Sequence, residues 1–171
     1  MRPLPSRQLD RRIKRVWRLS ATIGVVLWFL VAVVLVFATV AIVYVAGVFE
    51  EEGTLVPFMT LAALFVALVL AFIIFVLIVP AVRYRQWRFE VLDEEIDIHK
   101  GIFWRKRIII PLIRVQNVDT RQGPIMRAFG LASFTVSTAA GEHVIPGLQM
   151  EEADALRDHV AVLARIAQED V

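Results

Sequence analysis

Two uncharged stretches decide the fold of this chain: residues 23–44 are IGVVLWFLVAVVLVFATVAIVY, and residues 58–79 are FMTLAALFVALVLAFIIFVLIV. No Asp, Glu, Lys or Arg occurs from Ser20 to Phe49 or from Gly53 to Val82. A helix needs roughly 20 apolar residues to cross a bilayer core. Neither stretch alternates like a strand, and a backbone in lipid must satisfy its own hydrogen bonds. Both stretches are therefore predicted to be transmembrane helices.

The basic start of the first stretch is also typical of a cleaved signal peptide. The apolar region of a signal peptide has only about 7–15 residues, and here the run is longer and a second span follows it. We therefore expect a two-helix transmembrane hairpin within residues 19–82. No ionisable residue lies inside either span, which argues against a transporter or a pore, since these place such groups in their pathways.

Flanking charge predicts the orientation of the hairpin. The segment 1–18 carries seven basic residues against Asp10 alone. Arg83, Arg85 and Arg88 follow the second span, whereas the connecting loop 50–54, Glu-Glu-Glu-Gly-Thr, has no basic residue. The positive-inside rule then places both termini in the cytoplasm and the acidic loop outside. A weak cation site is the alternative interpretation of the three glutamates, but a solvated loop is the simpler one.

After Val82 the hydrophobic pattern changes to period two. Alternating and β-branched runs predict six or so antiparallel strands, separated by Gly and Pro turns, at 87–92, 96–99, 107–112, 115–122, 132–138 and 143–146. Ala153, Leu156 and Val160 repeat at helical spacing within 150–167, which predicts a C-terminal helix. Residues 83–171 are thus expected to form one mainly β domain, a curved sheet or partial barrel plugged by a C-terminal α-helix.

The N-terminal segment is amphipathic at helical spacing. Leu9, Ile13, Val16 and Trp17 share one side, and arginines occupy the other. This pattern predicts a helix that lies along the inner leaflet as an extension of the first span. The charge alone would also suit nucleic acid. Adjacent lipid and the topology already account for the charge, so membrane lipids are the predicted partner and nucleic acid is not.

One predicted hairpin tip is apolar and then strongly basic. It contains Phe103 and Trp104, followed by Arg105, Lys106 and Arg107. Such a tip suits a membrane interface, with the rings among the headgroups and the cations beside lipid phosphates. Three further arginines extend the same basic surface in this hypothesis: Arg83, Arg85 and Arg88. The alternative is that the rings pack into the core or a subunit contact and the cations are only solvated.

Three other arginines are separate candidates for contact with an anion or a partner: Arg114, Arg121 and Arg127. The alternative for Arg127 is a local role beside the short helix predicted at 125–129. His99, His143 and His159 show no metal-ligand spacing, and the chain has no cysteine and no glycine-rich phosphate loop. The sequence therefore predicts neither a metal or cofactor site nor an enzyme.

Several segments carry a resemblance to a known family: GIFWRKR at 101–107, IPLIRVQNV at 110–118, QGPIMRAFGLA at 122–132 and PGL at 146–148. With the two spans, the chain resembles the YdbS-like bacterial pleckstrin-homology membrane proteins (bPH2, DUF304). The resemblance implies a pleckstrin-homology-like domain in the bacterial plasma (inner) membrane. It also implies a partner, either a second copy in a homo-oligomer or a larger membrane protein with several such domains.

The function implied is a non-catalytic interaction or scaffold module at the inner leaflet, in envelope stress or in resistance to membrane-active peptides. The alternative is a module that binds anionic lipid headgroups.

Overall fold

The computed structural model describes residues 4–45 and 55–169. The predicted outward loop 50–54 lies outside the described residues. The chain divides into two compact units. Trp17–Pro80 form a helical unit, while the residues up to Val16 and those from Ala81 onward together form the other unit. This second unit is called the domain below.

The helical unit is made of the two apolar stretches. Helix α1 is Ile13–Val45, α2 is Leu55–Phe72, a π-helical segment follows at Ile73–Ile78, and α3 is Val79–Gln86. Two helical segments, Ile13–Ile42 and Ala62–Gln86, are long and apolar enough to cross a membrane, with mean hydropathies of 3.0 and 3.4. Large apolar side chains such as Phe37 and Phe65 are exposed along these helices. The two predicted apolar helices are thus confirmed, and both extend beyond the predicted spans.

The domain contains two three-stranded antiparallel sheets. The first has the order β1-β2-β3, with β1 at Arg88–Val91, β2 at Glu95–Lys100 and β3 at Lys106–Pro111. The second has the order β4-β5-β6, with β4 at Val115–Arg121, β5 at Leu131–Thr138 and β6 at Gly141–Gln149. A 3₁₀ turn, Leu112–Arg114, joins the sheets, and a short helix, α4, occupies Pro124–Ala128. All six strands were predicted, although as one curved sheet or partial barrel.

The core of the domain consists of the inner faces of both sheets and helix α5, Met150–Glu169. Phe89, Ile96 and Ile98 of the first sheet are fully buried, as are Phe134 and Ile145 of the second. Helix α5 buries Ala153, Leu156, Val160 and Ala164, so the predicted apolar stripe of Ala153, Leu156 and Val160 is confirmed. Full burial of each Phe, Ile, Leu or Val side chain in this core stabilises the domain by roughly 1.5–3 kcal/mol.

The N-terminal segment belongs to the domain, and the predicted contact of its apolar side with lipid is wrong, because that side packs on the domain. We call residues 4–16 the strap. Arg7 exchanges two backbone hydrogen bonds with Phe89 of β1, at 3.2 and 3.0 Å, and the Asp10 N–H donates to the Gly147 carbonyl of β6 at 2.9 Å. Leu9, Ile13 and Val16 are buried. The apolar side of the amphipathic pattern therefore covers domain side chains instead of lipid.

Polar contacts hold the strap in the same place. The Arg7 guanidinium forms an ion pair with Glu152, the Ser6 hydroxyl donates to Glu90 at 2.7 Å, and the Gln149 amide donates to Asp10 at 3.3 Å. Gly147 has a positive φ of 70°, and a Cβ at this position would lie 2.6 Å from the Ile13 side chain. The strap packs this closely because residue 147 has no side chain.

Candidate membrane-interface site

The tip is the loop of residues 101–105 between β2 and β3. The cross-strand pair Lys100 and Lys106 closes the hairpin at its base. Gly101 starts the loop with a φ of 126°, and a Cβ there would collide with the carbonyl oxygen of Trp104. A glycine is required at this point because the backbone turns back on itself too closely for a side chain.

Phe103 and Trp104 project into solvent from the tip. Their relative exposures are 92% and 90%, the highest among the exposed large apolar residues of the described chain. This exposure leaves both rings available for contact with another molecule. The alternative that these rings pack into the core of the domain does not agree with this geometry.

The three cations that follow the rings differ in their surroundings. Arg107 donates from Nε and Nη2 to the buried carboxylate of Asp97, at 3.0 and 2.5 Å to Oδ2. This hydrogen bonding raises the pKa of Arg107. Arg105 and Lys106 are exposed, and within the described residues neither forms an ion pair. Arg107 thus has a structural role in the hairpin, which leaves Arg105 and Lys106 as the tip cations available to an external anion.

Lys100 adds a further positive charge at the base of the tip. Its Nζ lies 5.7 Å from the ring centroid of Trp87. Partial burial, followed by the charges of Lys106 and Arg83, lowers the pKa of Lys100. Burial and the charges of Lys100 and Lys106 likewise lower the pKa of His143 on β6. Like charges directly opposite on paired strands are unfavourable, so an anion at the hairpin base would relieve the repulsion.

Two of the three arginines that follow the second span, Arg83 and Arg88, lie near this end of the first sheet. Arg83 is close enough to Lys100 to affect its titration. Arg88 pairs with His99, the residue before Lys100. Arg85 is exposed in the last turn of α3. The structure therefore brings Arg83 and Arg88 to the tip end of the sheet.

The other three arginine candidates do not form one site. Arg114 is exposed beside the start of β4 and Arg121 ends that strand, so about 23 Å of extended chain separates them. Arg121 lies between Asp119 and Glu142, at 3.0 and 3.1 Å, and both carboxylates raise its pKa. Arg127 is exposed on α4. Of the three, Arg121 already has anionic partners within the chain.

The histidines are dispersed over the domain. His99 lies on β2, His143 on β6 and His159 on α5. Across residues 4–45 and 55–169, no group of three His, Cys, Asp or Glu side chains is placed to hold a metal ion.

Two features of the site were missed in the sequence. Asp97 lies between two buried isoleucines on β2 and is itself 4% exposed; an acidic residue inside a predicted strand was the available signal for a buried partner. The second feature is a groove of about 630 Å³ beside β3, lined by Ile108–Ile110, Ile113, Arg114 and His143 among others. No local pattern indicates this groove, because it depends on how the two sheets meet.

Comparisons with known proteins agree with this architecture. The bacterial PH domain family matches residues 18–164. The "UPF0699 transmembrane protein YdbS" of Bacillus subtilis (strain 168) is 39% identical over 171 residues, which cover all of both chains. The "UPF0699 transmembrane protein YdbT" of the same organism is 29% identical over 94 residues, 52% of this chain and 19% of that protein. No solved structure matches the chain.

Proposed function

Because this chain belongs to the bacterial PH domain family, as a YdbS-like membrane protein, we propose that it is a non-catalytic interaction module that contacts anionic lipid headgroups at the inner leaflet. The two apolar helices anchor the module in the plasma membrane. The domain contacts the lipid through the tip, with Phe103 and Trp104 among the headgroups and Arg105 and Lys106 beside the phosphates.

The exposure of the two aromatic rings is the observation that carries this proposal. Aromatic side chains favour the headgroup level of a bilayer because one part of the ring is apolar and its edge is polar. Phe103 and Trp104 are 92% and 90% exposed, so moving their rings from water to the headgroup level would lower their free energy. The main part of the domain begins at Ala81, directly after Pro80 at the end of the helical unit, so no linker of its own separates the domain from the membrane anchor in the chain.

The charge of the hairpin supports anionic lipid over neutral lipid. Each cation near an anionic leaflet contributes about 1 kcal/mol, and Arg105 and Lys106 are exposed at the tip. Lys100 and Lys106 repel each other across the hairpin base, and a lipid phosphate would offset that repulsion. A role in envelope stress or in resistance to membrane-active peptides suits a module that responds to the charge of the leaflet.

The proposal requires both termini and the domain to face the cytoplasm. The basic flanks of the spans support this orientation through the positive-inside rule. The chain has no cysteine, so single cysteines at Glu51 and Asp158 report the two sides without a background. We expect an impermeant thiol reagent added to intact cells to label Glu51→Cys only, and labelling of Asp158→Cys would overturn the orientation.

The lipid contact is tested by the fluorescence of Trp104 in the full-length protein. Trp17, Trp28 and Trp87 are changed to Phe, and the protein is placed in nanodiscs with or without phosphatidylglycerol. We expect a blue-shifted Trp104 emission in anionic discs that returns toward the water value at high salt. Emission from a fully hydrated indole in both kinds of disc would argue against the lipid contact.

A partner protein is the second candidate, and the groove beside β3 is the observation that favours it. This surface runs along β3 and shares Lys106 with the base of the tip. Its occupant is considered next.

A further inference from the structure

The outer edge of β3 is open at Ile109 in the described residues, whereas hydrogen bonds from the strap and α5 reach the backbone of the other outer strands, β1, β6 and β4, at single points. The strap bonds to the outer edge of β1 through Arg7 and reaches β6 through Asp10. The amide of Gln168 in α5 donates to the Val115 carbonyl at the start of β4, at 3.1 Å. An edge strand with free backbone groups is a template for an added strand, and Arg7 shows that the first sheet accepts extended chain in this way.

The N–H and C=O groups of β3 that point away from the sheet can be identified from those that bond to β2. The Leu112 N–H donates to the Glu94 carbonyl at 2.9 Å, so the even-numbered residues of β3 face β2. Groups alternate along an antiparallel strand, and the N–H and C=O of Ile109 therefore point away from the sheet. Within the described chain no hydrogen bond uses them. Pro111 lacks an N–H on the same outward side, as expected at an edge.

The surface beside this edge is apolar in its centre and carries a cation near each end. Ile108–Ile110 and Ile113 line the groove of about 630 Å³, and the exposures of Ile109 and Ile113 are both 42%. Lys106 is exposed at one end of β3, and Arg114 follows the other end. His143 also lines the groove. Fully apolar ligands such as acyl chains would leave the Ile109 backbone groups unpaired, which is unfavourable.

We propose that β3 is a docking edge for an extended segment of a partner protein, apolar in its centre and acidic on both flanks. The segment adds a fourth strand to the first sheet through the Ile109 N–H and C=O, and its acidic side chains lie near Lys106 and Arg114. Backbone bonds supply the affinity in this mode of recognition, and the side chains supply the specificity. This inference rests on the role as an interaction module, but not on the lipid contact of the tip.

The test uses the full-length protein in nanodiscs and a fluorescent peptide, acetyl-Glu-Glu-Val-Thr-Val-Thr-Val-Glu-Glu-amide, as the probe. Control peptides carry Lys in place of Glu, or N-methyl groups on alternate central residues. We expect the acidic peptide to bind about tenfold more tightly than the lysine peptide, and N-methylation to abolish binding. Ile109→Pro removes the outward N–H and should weaken binding about tenfold, whereas Ile109→Val should have little effect.

A charge swap provides a readout that misfolding cannot imitate. The double variant Lys106→Glu with Arg114→Glu should reverse the preference, so that the lysine peptide binds more tightly than the acidic one. Equal binding of the two peptides, an unchanged preference in the double variant, or full binding by Ile109→Pro would each overturn the docking edge. Efficient disulfide formation between copies of Ile109→Cys would also overturn it, because a second copy would then occupy the edge. If the Trp104 emission of Ile109→Pro in anionic nanodiscs equals that of the parent protein, the lipid contact is intact, and a negative result for peptide binding then concerns the docking edge alone.

Discussion

Replacement of Gly147 by alanine should release the strap from the domain. The added Cβ would lie 2.6 Å from Cβ and Cγ1 of Ile13, which is far inside van der Waals contact. Because Gly147 lies in β6 and Ile13 begins α1, the collision is relieved most easily if the strap moves away. Ile13 is fully buried, and loss of that burial costs roughly 1.5–3 kcal/mol.

The magnitude follows from separating collision from backbone strain. Alanine at a positive φ is strained whether or not the strap is bound, so this strain cancels in the strap equilibrium. Only the collision remains. Where it cancels the roughly 1.5–3 kcal/mol that Ile13 burial contributes to the bound strap, the population of the released strap should rise by about 10- to 150-fold. The matched control is Gly130→Ala, where φ is 65° and nothing lies within 4 Å of the added Cβ.

Hydrogen exchange of the full-length protein measures this release directly. The amides of Arg7 and Asp10 are hydrogen-bonded to β1 and β6 only while the strap is bound, so their exchange should accelerate in Gly147→Ala and stay unchanged in Gly130→Ala. In a protein that already carries Ile13→Gly, adding Gly147→Ala should not accelerate the exchange of these amides any further. Equal exchange of the strap in the Gly147→Ala and Gly130→Ala proteins would refute the packing argument.

Three further predictions follow from the domain. Changing both Arg105 and Lys106 to Gln should weaken the tip–lipid equilibrium in anionic nanodiscs by about 30-fold, at about 1 kcal/mol for each cation; Arg107→Gln, whose parent side chain is bound to Asp97, should have a smaller effect on Trp104 emission. Asp97→Asn removes the buried carboxylate that binds Arg107 and should lower the midpoint of thermal unfolding. Asp93→Asn, in the exposed turn, should leave the midpoint unchanged. Equal midpoints for the two variants would contradict a stabilising role of the Asp97–Arg107 ion pair. Burial and nearby lysines lower the pKa of His143 below its ordinary value of 6.5. The unfolded chain therefore binds the proton more readily than the folded domain, and the domain should lose stability as pH falls through and below 6.5. His143→Gln should flatten this part of the plot of unfolding free energy against pH, and an unchanged slope would argue against a role for His143.

Much of the fold is predictable because its signals are local. The spans follow from uncharged length, the strands from period-two runs between glycines and prolines, and α5 from its helical repeat. The hairpin tip was also predicted, since Phe103 and Trp104 follow a glycine between two strands. Exposure of these rings was not predictable, because the same residues suit a core contact equally well.

The strap shows where local pattern stops being informative. Apolar residues at helical spacing beside arginines indicate a face that must be covered, but they do not say whether lipid or protein covers it. Leu9 and Ile13 are covered by the domain, through pairings such as Arg7 with Phe89 that are remote in sequence. The division into two sheets is likewise a matter of partner choice, which alternation along single strands does not specify.

The depth of residue 103 in the bilayer tests the lipid contact most directly. The absence of native cysteine permits a single nitroxide label at Phe103→Cys in the full-length protein, with Asp158→Cys on α5 as the control. In nanodiscs that contain phosphatidylglycerol, we expect oxygen to relax the label at 103 more effectively than a water-soluble nickel reagent does, as at headgroup depth, and the label at 158 to behave as in water. A label at 103 that is as accessible to the nickel reagent as the label at 158 would contradict the proposed contact between the tip and the membrane.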